Sequence, residues 1–134
     1  MKIIAEKFGR SLDHDDFDLT YSLLHPQCRY TIGETIIEGP EAICNSYEGN
    51  MVEGRIKFDE LQWGNSRIEA IDDHQFYVHF TDHLTHQGQY FKHQCKQKLT
   101  INNDQLITHI EHINNPSEHA RLKAFYKVVG LAKD

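Results

Sequence analysis

The feature that most constrains this chain is a pair of long alternating segments around one tight turn. Gln75 to His86 and Gln89 to Asn102 both alternate apolar with polar residues, and only Gln87-Gly88 separates them. A period of two marks a strand with one buried face. Two such strands joined by a two-residue, glycine-containing link read as an antiparallel hairpin. With Gln87-Gly88 as the turn, His86 pairs with Gln89 and the rest of the register follows. One face then carries Phe76, Val78, Phe80, Asp82 and Leu84 against Leu99, Gln97, Cys95, His93 and Phe91. The other carries Tyr77, His79, Thr81, His83 and Thr85 against Lys98, Lys96, Gln94, Lys92 and Tyr90. The first face is apolar except for Gln97, Asp82 and His93; the second is polar. A slip of one residue would turn the apolar set to water, so the register is strongly specified.

One consequence is chemical. Asp82 and His93 become cross-strand neighbours on the inward face, with Cβ atoms about 4.5–5.5 Å apart, close enough for the carboxylate to bond an imidazole nitrogen. An ionised group on a core face is costly without a partner. The pair is therefore either a satisfied structural contact or a working dyad in which Asp82 orients His93 as general base.

The rest of the chain supplies helices first and strands after. Ile4, Phe8 and Leu12 form one helical stripe over residues 3–13. Asp15 or Asp16 caps a second helix carrying Phe17, Leu19, Tyr21, Leu23 and Leu24, and His25-Pro26 ends it. Cys28 to Ile32 reads as a short strand, with a return over Thr35 to Glu38. Gly39-Pro40 opens a third helix with an inner stripe of Ala42, Ile43, Ser46, Tyr47 and Met51; Gly49 and Gly54 weaken and end it. Phe58 to Ile71 is one long strand with a bulge at Gly64, Gln105 to Asn114 is the last strand, and Glu118 to Val129 is a terminal helix. Segregated helices and strands predict an α+β domain, residues 1–134, with helices on one face of an antiparallel sheet around a small apolar pocket.

The parity of the last strand stays open. A two-residue turn at Asn103-Asp104 sets Cys95 opposite His112 and Gln97 opposite Ile110, with Thr108, Ile110, His112 and Asn114 inward. A three-residue loop would turn Ile107, His109, Glu111 and Ile113 inward instead.

Composition excludes several partner classes. The chain has 134 residues, 39% hydrophobic and 25% charged, enough for one folded core. A formal charge of -6 argues against nucleic acid. The opening residues lack the apolar stretch of a secretory signal, and no run nears the roughly 20 residues that span a bilayer, so no membrane partner is expected and the cytoplasm is the expected location. Cys28, Cys44 and Cys95 are odd in number and widely spaced, and read as reduced thiols. Most of the ten histidines read as surface polar residues. His79 and His83 share a face but lie roughly 13 Å apart, too far to chelate one ion. Asp82, His93 and His112 could converge as a two-histidine, one-carboxylate set, but no metal and no cofactor is expected. Cys95 reads as a buried inert thiol before it reads as a nucleophile.

Ile37-Glu38-Gly39-Pro40-Glu41-Ala42-Ile43 resembles the start of the third helix in the nuclear transport factor 2-like superfamily, and Asn103-Asp104-Gln105-Leu106-Ile107-Thr108 resembles its hairpin into the last strand. Within that superfamily the chain is most similar to the SnoaL-like, polyketide cyclase and ketosteroid isomerase-like group, over nearly its whole length. The resemblance implies a cone-shaped curved sheet wrapped on helices, a deep pocket for a small apolar ligand, and a homodimer through the convex sheet face. It also implies a cofactor-independent isomerase, lyase or hydrolase, or else a non-catalytic binding or dimerisation module. His112, in Ile110-Glu111-His112, stands where such enzymes keep a carboxylate, and His93-Gln94-Cys95 lacks their Arg-x-Asp pair. Tyr30 matches a substrate-binding pocket tyrosine. Asp82, His93 and His112 are thus the catalytic candidates. Tyr30, Tyr47, Trp63, Phe80, Cys95, Gln97 and Ile110 are the candidates to line the pocket, with ordinary core packing an equal alternative for Trp63 and Tyr47.

Overall fold

The computed structural model describes residues 1–131. Helix α1 spans Lys2–Asp13 and buries Ala5, Phe8, Gly9 and Ser11. Asp16 caps α2, Phe17–Leu23, by accepting a 3.2 Å bond from the Leu19 N–H. The hydroxyls of Ser11 and Thr20, 2.7 Å apart, tie the two helices together in the core. Strand β1 is Leu24–Ile32, longer than the sequence predicts, and β2 is Thr35–Glu38. Pro26 is accommodated because the pairing of β1 shifts between Leu24 and Arg29, and a missing N–H is tolerated at such an irregularity. Helix α3, Pro40–Lys57, runs through Gly49 and past Gly54. It buries Ile43 and Cys44, while Ala42 faces outward against expectation.

The long strand predicted over Phe58 to Ile71 is instead two short ones, β3 at Glu60–Trp63 and β4 at Arg67–Ala70, both antiparallel to β5. The break has a clear cause. The Ser66 N–H and hydroxyl both donate to Asp13 Oδ2 at 2.8 Å, so the end of α1 holds this stretch of chain between the strands. Strands β5, Gln75–His86, and β6, Gln89–Ile101, pair in the predicted register throughout, from Gln75 with Thr100 to His86 with Gln89. Gln87 and Gly88 have φ of 52° and 73°, the doubly positive turn whose twist suits a hairpin. Strand β7 is Ile107–His112, and helix α4, Pro116–Val128, follows.

The sheet runs β2-β1-β7-β6-β5-β3, with β4 also on β5. It is mixed and not purely antiparallel as expected, because β1 and β7 run parallel. The last strand also departs from the sequence register. His112 pairs with Gln97 and Ile110 with Leu99, two positions from the expected partners. The loop is longer than two residues: Gln105 takes φ 62°, and the Asn102 side chain accepts from the Asp104 and Leu106 N–H groups. A pairing shift between Thr100 and Ile101 then lets both Ile107 and Ile110 point inward, each fully buried. The two parities that looked exclusive are reconciled by that irregularity.

Two apolar clusters form on the concave face. The larger joins Phe8, Ile43, Val78, Leu99 and Ile110 under α1 and α3. The smaller joins Phe58, Leu84, Phe125 and Val129 under α4, with Phe91 packed on it. Between them, along the hairpin, stand Phe80, Cys95, Asp82 and His93. Gly9 lets α1 approach the sheet there; a Cβ would collide with the Ser66 side chain and sit 3.3 Å from Val78 Cγ1. Gly49, also helical, has nothing near it. Gly9→Ala is therefore expected to destabilise by about 2 kcal/mol, within the range for overpacking, and Gly49→Ala to stabilise by about 0.5–1 kcal/mol. Urea titration of both variants checks this, and equal effects would refute the close approach.

Candidate functional site

Beside the larger cluster lies a cavity of about 210 Å³. The end of α1 gives it Leu12 and Asp13, the following turn Asp15, and α2 Phe17. Tyr30 enters from β1, Tyr47, Asn50 and Met51 from α3, and Trp63 from β3. The hairpin contributes Phe80, Thr81, Asp82, Cys95 and Gln97, and β7 contributes His112. Trp63 pairs with Asp82, and Asp82 with His93, so the three sit in one row across the sheet.

Deep in the cavity a polar relay crosses the core. The Tyr47 hydroxyl donates to Gln97 Oε1 at 2.7 Å, and Gln97 Nε2 donates to the Tyr30 hydroxyl at 2.8 Å. Gln97 is buried on the apolar face because both ends of its amide are satisfied here. The Tyr30 and Tyr47 hydroxyls also interact with each other, so the amide and the two phenols form one connected set. Tyr30 and Tyr47 pack edge to face, 5.1 Å between centroids. Burial pushes the Tyr30 hydroxyl up to about 12 and Tyr47 well above its usual value, so both act only as neutral donors near neutral pH.

The three acids at the cavity differ. Asp15 is fully engaged: Oδ1 accepts from Trp63 Nε1 and Oδ2 from Arg55, each at 2.7 Å. Asp13 spends Oδ2 on Ser66. Asp82, half-buried, has no hydrogen-bond or ion-pair partner among the described residues. Burial, followed by the negative charge of Asp13, raises its carboxyl from the ordinary 3.8 to about 7. Cys95 is pushed to about 12, first by burial and then by Asp82 and Glu118, which makes it a protonated, unreactive thiol.

His93 departs from the dyad. It opposes Asp82 in register, but no hydrogen bond or ion pair joins them, and His93 does not line the cavity. Its ring stacks toward Phe91, and Nδ1 lies 3.4 Å from Glu118 Oε1 without making a hydrogen bond. Glu118 is itself a clamp for α4: it accepts the Gln94 N–H at 3.0 Å and pairs with Arg121 at 2.7 Å. Burial lowers the His93 pKa while Glu118 partly offsets it; burial likewise lowers His112, leaving it neutral at the cavity wall. Ile110 packs in the core beside Leu99 and does not line the cavity. Among the described residues no three His, Cys, Asp or Glu side chains gather as metal ligands, so Asp82, His93 and His112 do not form that set.

Sequence reading brought Asp82, His112, Tyr30, Tyr47, Trp63, Phe80, Cys95 and Gln97 to this cavity. It missed Asp13, Asp15, Phe17, Asn50 and Met51. Asp15 and Asp16 read as cap candidates for the second helix, and no local pattern announces that α1 meets β4 and β5.

No family model matches the chain, and no curated protein matches it. Solved structures do. One is a protein of Xanthomonas campestris pv. campestris whose assignment as a polyketide cyclase is provisional: 12% identical, covering 88% of this chain and 92% of that one, TM-score 0.67. Another is an LEH-like epoxide hydrolase of Mycobacterium tuberculosis, 16% identical over 96% and 94%, TM-score 0.63. A third, also from Mycobacterium tuberculosis, was crystallised with estradiol-17beta-hemisuccinate; it is 15% identical over 87% and 94%, TM-score 0.62. The chain therefore has the curved-sheet α+β fold of these structures.

Proposed function

We propose that this nuclear transport factor 2-like roll binds a small, largely apolar molecule in its cavity and that Asp82 moves a proton on it, in a cofactor-independent isomerase, lyase or hydrolase reaction. The observation that carries the reading is Asp82 itself, a half-buried carboxyl with no partner among the described residues, facing an aromatic cavity. A buried, unpaired carboxyl weakens the fold, and such cost is found where function requires it. A group that titrates near 7 can both take and return a proton at neutral pH. Tyr30 and Tyr47 line the same cavity as neutral phenols, and either can turn its proton to a ligand oxygen on which charge develops. His112, neutral, is a further polar neighbour, and His93 serves α4 in this reading and not proton transfer. The cavity is smaller than the roughly 300–1,000 Å³ of drug-sized ligand clefts, which favours a one- or two-ring compound. Small-molecule binding by the steroid-bound structure with this fold agrees with the reading.

The test is turnover of small cyclic epoxides and unsaturated cyclic ketones by the native chain and by Asp82→Asn. Loss of about 10²–10⁴-fold in kcat, with ligands still raising the melting temperature, is the expected result. Wild-type turnover by Asp82→Asn would sink the assignment. Binding without turnover by either protein would favour the second reading, a non-catalytic binder, which the missing last-strand carboxylate at His112 supports.

A further inference from the structure

We infer that the cavity selects a positively charged ligand: a compact apolar molecule bearing a protonated amine. The inference rests on the ligand-binding reading above and adds the ligand's charge. Two independent observations point to it. The first is the wall. Trp63, Phe17, Phe80, Tyr30 and Tyr47 all line the cavity, and aromatic rings attract a cation through their electron-rich faces, tryptophan most strongly. The Trp63 N–H is given to the Asp15 carboxylate, which fixes the ring in the wall.

The second is the charge balance. Asp13, Asp15 and Asp82 line the cavity, and no Lys or Arg does. The Arg55 guanidinium is taken up by Asp15. Asp13 receives only neutral donors from Ser66, and Asp82 receives none. The remaining wall groups, Asn50, Thr81, Cys95, Gln97, His112 and the two tyrosines, carry no positive charge near neutral pH. Two carboxyls therefore face one small space without a counter-ion. Asp13 is one of the causes that disfavour the Asp82 carboxylate. An ammonium group in the cavity would give both acids their missing partner, and a carboxylate or phosphate ligand would meet repulsion from both. The -6 charge of the chain draws cations toward the mouth in the same sense.

Matched probes of one shape separate charge from shape. Benzylamine, benzyl alcohol and benzoate are titrated into the full chain at about pH 7.5, where the amine is protonated. Trp63, the sole tryptophan, reports by fluorescence, and the Tyr30, Asp82 and Gln97 amide resonances report by NMR. Benzylamine is expected to bind at least about tenfold tighter than benzyl alcohol, with benzoate weakest, and the preference to fall to about threefold or less in Asp82→Asn. Equal binding of amine and alcohol, or tightest binding of benzoate, overturns the charge inference and leaves ligand binding standing. A preference unchanged in Asp82→Asn also overturns it. No binding of any probe overturns both readings.

Discussion

Asp82→Asn is expected to fold more stably than the native chain above neutral pH, by up to about 4 kcal/mol at about pH 8, and to match it below about pH 4. The native Asp82 carboxyl titrates at about 7, against 3.8 when unperturbed. Between those values the folded chain holds a proton that the unfolded chain has released. Stability therefore falls as pH rises through this window and levels off above about 7. A difference of roughly 3 pK units at about 1.36 kcal/mol each gives the stated ceiling. Asparagine has the same shape and, like the protonated acid, carries no charge, so the low-pH stabilities should converge. Urea unfolding of both proteins across this range measures the difference directly. Equal stability at high pH would mean that Asp82 has a partner or is well hydrated, and the proposed role would lose its main support. A stabilised variant that also loses turnover is the signature of a residue kept for function at the expense of stability.

Phe8→Ala is expected to destabilise by about 3–5 kcal/mol, a large share of the stability of a domain this size. Phe8 is fully buried in the larger cluster. Its ring meets Tyr47 and Phe80 edge on, at 6.1 Å and 6.5 Å between centroids. Both partners line the cavity, and Phe8 packs behind them. Truncation removes apolar burial, forfeits two aromatic contacts, and opens empty space that the hairpin cannot close. The same space lies against the ligand site, so ligands one ring larger should bind the variant better than the native chain. Guanidinium unfolding gives the first effect and a ligand size series gives the second. A loss under about 1 kcal/mol would show that the surrounding core collapses into the space, or that Phe8 bears little of the packing.

The legible parts were those governed by local period and by turn chemistry. Alternation about Gln87-Gly88 gave every pair of the β5–β6 hairpin, because a slip would expose a whole apolar face. A cap at Asp15 or Asp16, which the structure gives to Asp16, Pro40 at a helix start and the return over Thr35 to Glu38 were equally readable from residue type. Register was readable; contact was not. Asp82 and His93 are opposite each other as expected, yet His93 answers to Glu118, which arrives on α4 from 25 positions further along the chain. The split of β3 from β4 likewise depends on Asp13 holding Ser66, a contact between residues 53 positions apart.

What this sequence determines by itself is the α+β plan and the apolar face of the long hairpin, together with the three polar residues that interrupt that face. Those follow from spacing along one chain, where the backbone geometry is common to all strands and helices. The tertiary structure alone decides which of the three polar residues finds a partner. Gln97 is satisfied by two tyrosines, His93 turns to the helix that closes the far end, and Asp82 is left facing the cavity. Partnership is set by which distant side chains the curved sheet brings within reach, and that curvature leaves no local mark in the order of the residues.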